Sequence, residues 1–214
     1  MKPYPIFLVQ LADRHTVVIG GSHEAEGKVE GLLNCDATIT VISPTLTPTL
    51  HGQAQEGAFT WLQRPYQTGD LAGAFLVISE RFDPETNARI WDEGERVGAL
   101  VNVMDDIPRC NFVAGSVVRQ GPLTISISTS GAAPALAVRL RQKMEAELGS
   151  EYATFLEWMQ ELRTPMAENY PTFQERKRRW YELIDSEVLD LIRAGQTEQA
   201  RRRIKEIVEL DLPA

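Results

Sequence analysis

Short apolar runs rich in β-branched residues alternate, from Thr16 to Val103, with longer stretches whose apolar positions recur every three or four residues. The runs at residues 16–19, 37–42, 59–62, 74–78 and 99–103 are too short for helices, and their apolar density is that of strands covered on both faces. Between the first two, Ala25, Val29, Leu32 and Leu33 mark one face of a helix, and residues 84–97 form a second helical stretch. Strands and helices in this order predict a parallel sheet with helices on both sides, an open α/β domain.

Past Asp105 the pattern changes. Residues 112–119 and 123–128 predict two strands joined by Gln120-Gly121-Pro122, and Ser130-Gly131 leads into a helix over residues 135–148. From Glu151 onward only helical periodicity remains, with breaks expected at Gly149-Ser150, Thr164-Pro165, Tyr170-Pro171 and Gly195. There is no internal repeat and no low-complexity segment.

The 214 residues carry 22 basic and 30 acidic side chains, a net charge of -8. That is the wrong sign for a domain built to grip phosphate backbones, so nucleic acid is not the expected partner. Cys35 and Cys110 belong to no CxxC pair, and no His, Cys and carboxylate cluster has metal-ligand spacing, so no disulfide framework and no resident metal are expected. The apolar stretch at residues 6–11 is cut off by Asp13 and Arg14, too short for a signal segment or a spanning helix. These features describe a soluble cytoplasmic protein with no membrane partner.

Val17-Val18-Ile19-Gly20-Gly21-Ser22-His23-Glu24-Ala25 is a strand, a glycine turn and a helix start. Peptide N–H groups at the head of such a helix favour an anion, which makes Gly20, Gly21, Ser22, His23 and Glu24 candidates for holding a dinucleotide pyrophosphate. The turn departs from GxGxxG, although Ser22 and Ala25 are small enough for the remaining close-approach positions. Glu24 and Glu26 suit the helix dipole but bring negative charge near a phosphate. The next strand ends in Ser43-Pro44 instead of the acidic residue that often holds a ribose. Ser43 can donate to a ribose hydroxyl or to a 2′-phosphate, so NAD and NADP both stay open. The same glycines equally suit a plain tight connection between strand and helix.

The segments LVNVMDDIPRCNF (residues 100–112) and RQGPLTISISTSGAAPALA (residues 119–137) closely resemble, in order and spacing, the paired central motifs of the siroheme-synthase N-terminal family of precorrin-2 dehydrogenases. Tyr4-Pro5-Ile6-Phe7-Leu8, Arg64-Pro65-Tyr66, Gly69-Asp70-Leu71, Asn87-Ala88-Arg89-Ile90 and Glu175-Arg176-Lys177-Arg178-Arg179-Trp180 are similar to the family as well. The resemblance implies a Rossmann-like NAD(P)-binding domain over residues 1–112, a dimerisation segment over 113–149, a helical domain over 150–214, and a homodimer. It also implies oxidation of the tetrapyrrole precorrin-2 to sirohydrochlorin with NAD or NADP as hydride acceptor. Many members also insert metal into sirohydrochlorin, with a ferrous or cobaltous ion as substrate. Some relatives carry a C-terminal methyltransferase, for which 214 residues leave no room.

By the same resemblance Asp105 is the catalytic carboxylate. Oxidation requires a proton to leave with the hydride, and metal insertion requires pyrrole N–H protons to be removed. Ser128 matches a serine at the edge of the substrate site that some members phosphorylate. Asp106 reads as a turn cap, and Cys110 as a structural thiol. A protein with net charge -8 that binds a polyanion must gather positive charge locally, which points to Arg119 and to the arginines of the tail, the first run foremost because Trp180 and Tyr181 lie beside it, although such runs are more commonly a solvated helix face paired with nearby glutamates.

Several positions depart from the family pattern. Ser22 stands where a third glycine is usual, Gly27 where an arginine often precedes the lysine, Asn111 where aspartate is usual, and Ala133 where a serine is expected. These departures motivate a second reading, a non-catalytic carrier or sensor that binds a tetrapyrrole or a nucleotide.

Overall fold

The first strand is buried along nearly its whole length. In the computed structural model, which describes residues 2–212, β1 (His15–Ile19) runs through the centre of a five-stranded sheet, and Thr16, Val17, Val18 and Ile19 are buried. Its neighbours are β2 (Thr38–Ile42) and β4 (Leu76–Ser79), with β3 (Thr60–Leu62) and β5 (Leu100–Val103) outside them; the order is β3-β2-β1-β4-β5 and every pairing is parallel. The two faces follow the period-two alternation of β1: Val18 packs with Ala25, Val29 and Val41, and Val17 and Ile19 pack with Leu71, Val77 and Ile90.

Helix α1 (His23–Leu33) turns Ala25, Val29 and Leu32 inward, and α3 (Pro84–Val97) is closed by Asp83, whose carboxylate accepts the Glu85 and Thr86 N–H groups, and by Gly98 at φ 74°. Helix α2 (Pro48–Gln55) escapes the periodicity because Leu50 is its one buried residue. It begins where it does because the Thr47 hydroxyl accepts the Leu50 N–H and Pro48 stands at the first turn, where its missing donor costs nothing.

No helix joins β3 to β4. The connection is an irregular loop pinned from α3 by Glu93, which is buried and accepts the Gly69 N–H at 2.9 Å, the Leu71 N–H at 3.0 Å and the Tyr66 hydroxyl. Burial, reinforced by this carboxylate, pushes the Tyr66 phenol far above its usual range. Asp70 takes two hydrogen bonds of 2.7 Å from Arg64, which hold its carboxyl below the usual carboxylate range. The Arg64-Pro65-Tyr66 and Gly69-Asp70-Leu71 motifs therefore build this loop.

The chain divides into two compact units, residues 2–113 and the segment from Ala114 onward. In the second, β6 (Ser116–Gln120) and β7 (Leu123–Ile127) form an antiparallel hairpin followed by α4 (Pro134–Glu147). The first hairpin strand starts later than the apolar run because the Asn111 N–H donates to Val101 and the Phe112 carbonyl accepts from Asn102, which lays residues 111–112 along β5. Helices α5 (Glu151–Asn169), α6 (Phe173–Ile184), α7 (Val188–Arg193) and α8 (Thr197–Val208) pack around Leu162, Met166, Leu183, Val188 and Ile204. The break expected at Thr164-Pro165 does not occur: α5 runs through Pro165, where the fully buried Leu162 and Met166 hold the helix against its neighbours despite the lost hydrogen bond.

Replacing Glu93 by alanine leaves the Gly69 and Leu71 N–H groups of the β3–β4 loop without an acceptor and the Tyr66 hydroxyl with only the longer bond of 3.4 Å to the Arg89 carbonyl. Glu93→Ala is expected to lower the unfolding free energy by about 3 kcal/mol, read as a lower urea midpoint. An unchanged midpoint would mean that the loop does not depend on this carboxylate.

Candidate functional site

In the order β3-β2-β1-β4-β5 the chain moves outward from β1 in one direction and from β4 in the other, so the carboxyl ends of β1 and β4 flank the point where the order reverses. Ligands of open parallel sheets bind at such a point. The glycine turn leaves β1 there. Gly20 has φ 127° and donates its N–H to Ile42 at 2.9 Å. Gly21 admits no side chain, since a Cβ would lie 2.1 Å from the Thr45 carbonyl oxygen, and its own carbonyl accepts the Thr47 N–H at 3.0 Å. The turn thus holds the β2–α2 loop against it.

Ser22 caps α1, its hydroxyl accepting the Glu24 N–H at 3.1 Å. The N–H groups of His23 and Ala25 in the first turn have no acceptor among the described residues. Together with the bare glycine backbone, these donors fit a phosphate group. The Ser22 N–H itself donates to the Glu80 carboxylate at 2.8 Å. His23 is exposed beside Glu26, 3.5 Å away, and Glu24 is exposed. The Thr47 hydroxyl donates to Glu26 at 2.5 Å and holds its carboxyl below the usual range, so this acid of the first turn is engaged in bracing the loop.

Ser43 is buried. Its hydroxyl donates to the Thr45 carbonyl at 2.7 Å and its carbonyl accepts from the Trp61 indole at 2.9 Å, so both groups stabilise the loop beneath Gly21; Pro44 is exposed beside it. A ribose contact by Ser43 would have to displace the bond to Thr45.

At the end of β5 two adjacent aspartates divide their roles. The Asp106 N–H donates to the Val103 carbonyl at 3.1 Å, closing a turn that places Asp105 at φ 58°. Asp106 accepts from Arg109 at 2.8 Å and from Asn87 at 3.2 Å, which fixes the short 3-10 turn Ile107–Arg109. Asp105 is exposed, and its carboxylate has no partner among the described residues. A non-glycine residue in the left-handed region marks a turn held open by its surroundings. The Cys110 thiol donates to the Val103 carbonyl at 3.2 Å, and burial pushes its pKa up, as suits a structural thiol.

Ser128 and Arg119 belong to the other unit. The Ser128 hydroxyl accepts the Ser130 N–H at 3.1 Å, and Arg119 is exposed on β6 with its guanidinium 3.5 Å from the Thr124 hydroxyl. Ala133 occupies the position before α4 and supplies no side-chain cap.

The first tail run is largely engaged within its own unit. Arg179 is buried, donates to the Ile207 carbonyl at 2.6 Å and lies 4.0 Å from the centre of the Tyr170 ring. Arg176 donates to the Tyr170 and Pro171 carbonyls, Arg178 pairs with Glu182, and Trp180 packs on the helical core. These charges close helix ends and stack on aromatic rings, uses that a run of basic letters does not reveal.

Glu80 is the site residue that sequence reasoning missed. It directly follows β4, and a carboxylate at the carboxyl end of a strand in such a sheet was the available signal.

Comparison with known proteins gives a consistent picture. Residues 7–116 match an NAD(P)-binding family, residues 120–147 the sirohaem biosynthesis protein central region, and residues 151–207 the sirohaem synthase dimerisation region. Siroheme synthase 1 of Serratia proteamaculans is 34% identical over 209 residues, covering 98% of this chain and 44% of that protein. Siroheme synthase 1 of Cronobacter sakazakii is 35% identical over 213 residues, covering 100% and 45%. The chain therefore spans less than half the length of these relatives. The solved structure of SirC, precorrin-2 dehydrogenase, superposes with a TM-score of 0.77 at 21% identity over 97% of this chain and 100% of that one, a likeness of fold. Among the described residues no helix is long and apolar enough to cross a membrane, and no group of three or more His, Cys, Asp or Glu is placed to hold a metal ion.

Gly21→Ala should disrupt the turn through its clash with Thr45 and lower the thermal midpoint by several degrees, with an expected cost of roughly 2 kcal/mol or more. A midpoint unchanged in a thermal scan would show that the β2–α2 loop can retreat.

Proposed function

The chain belongs to the siroheme-synthase N-terminal family, and on that premise we propose that it oxidises precorrin-2 to sirohydrochlorin with a nicotinamide dinucleotide as hydride acceptor. The observation that carries the proposal is the shared edge: the glycine turn after β1 and Asp105 after β5 stand at the same end of one parallel sheet. With β4 between them, the strand ends lie about 10 Å apart, a span that a dinucleotide anchored at α1 bridges. The glycine turn and the head of α1 would hold the dinucleotide, whose chemistry when bound would be acceptance of a hydride.

The chain's own residues do the rest. The head of α1 and the glycine backbone hold phosphate. Asp105 accepts the proton that must leave with the hydride, and its turn carries the carboxylate outward while Asp106 keeps that turn closed. The same carboxylate would take pyrrole N–H protons during insertion of a ferrous or cobaltous ion, which enters as substrate. The Ser128 hydroxyl and the Arg119 guanidinium, both exposed, offer contacts to the carboxylates of the tetrapyrrole. A homodimer is supported by the dimerisation-region match over residues 151–207 and by Leu136 and Leu140 of α4, exposed apolar side chains one helical turn apart that a second copy could cover.

Purified protein mixed with precorrin-2 and NAD or NADP should develop the absorption spectrum of sirohydrochlorin, and a further change on adding ferrous or cobaltous ion would report metal insertion. Asp105→Asn is the variant of choice, because asparagine tolerates a positive φ and removes only the acid. It should lose roughly a hundredfold or more in rate with an unchanged thermal midpoint. Full activity of Asp105→Asn would overturn the role of Asp105. An inert wild type that binds tetrapyrrole but no dinucleotide would favour the carrier.

A further inference from the structure

The head of α1 already holds an anion, and it belongs to the chain. The Glu80 backbone N–H donates to the Ile19 carbonyl at 2.8 Å, which ties the residue to the end of β1, and its carboxylate accepts the Ser22 N–H at 2.8 Å. The same side chain fills the space over Gly20: a Cβ there would fall 2.3 Å from the Glu80 carboxyl carbon and 2.6 Å from Oε2. No Lys or Arg pairs with Glu80 among the described residues, so its favourable partner is the positive end of the α1 dipole. Glu80 thus takes up one helix-head donor and the room that a glycine without a side chain leaves over the turn, while the His23 and Ala25 N–H groups stay open.

We propose that Glu80 is an internal substitute for the dinucleotide pyrophosphate and sets the affinity for the cofactor. The inference rests on the dinucleotide reading given above. A pyrophosphate drawn to the open His23 and Ala25 donors and seated over Gly20 meets the Glu80 carboxylate there, so the cofactor binds to those molecules in which that carboxylate has swung off the turn. The contact with Gly20 is made by the far end of a flexible side chain, and Glu80 is only half-buried, so that swing needs no movement of β4. Apparent affinity falls in proportion to the fraction of molecules with the turn open.

The test is calorimetric titration of wild type, Glu80→Gln and Glu80→Ala with NAD, NADP and inorganic pyrophosphate, with thermal midpoints measured alongside. Glu80→Gln keeps the shape and removes the charge, and it decides the question should Glu80→Ala prove unstable. Both variants are expected to bind the dinucleotide about tenfold more tightly than wild type or better, with pyrophosphate moving in the same direction. A wild type that binds dinucleotide, with variants of equal or weaker affinity, would overturn the role of Glu80 and leave the dinucleotide reading standing. Absence of dinucleotide binding in all three proteins would overturn both.

Discussion

The parallel pairing of β1 between β2 and β4 is the constraint from which the chemistry of the N-terminal unit follows. A strand buried on both faces and bonded along both edges cannot slip by one residue without turning Val17 and Ile19 from one core into the other. That rigidity places the carboxyl ends of β1, β4 and β5 on one edge. Gly20, Glu80 and Asp105 come together there although they are far apart in the chain.

Buried charge is used locally to hold irregular backbone near that edge. Glu93 collects the donors of the β3–β4 loop, Asp106 collects Asn87 and Arg109, and Ser43 with Thr47 secures the loop against Gly21. In each case a polar side chain satisfies backbone or neighbouring groups that regular structure leaves unpaired. The C-terminal unit applies the same chemistry with the opposite sign, as Arg179 closes the end of α8 against the Ile207 carbonyl and stacks on Tyr170.

Much of the fold was legible because buried parallel strands leave dense apolar, β-branched runs. All five appear in the pattern, and α3 does as well. What escaped has a common physical origin. Helix α2 buries a single leucine, and the β3–β4 loop depends on a glutamate more than twenty positions away. The Glu80 contact with Ser22 bridges 58 positions and exists only through the β1–β4 pairing. Asp105 was readable from its motif, whereas its backbone conformation was not. In the basic run of α6, Arg178 pairs with a nearby glutamate as such runs commonly do, whereas the letters alone do not tell that arginine from Arg179, which is laid over a tyrosine.

The left-handed conformation of Asp105 couples backbone to chemistry at one position. Glycine and asparagine relieve the turn and have no acid, while glutamate keeps the acid on a longer stem in a conformation it tolerates poorly. Aspartate alone is acidic, short and at ease at positive φ. The proton acceptor proposed above is therefore specified twice over, by what that reaction needs and by what the turn allows, and a drift that eased either requirement would forfeit the other.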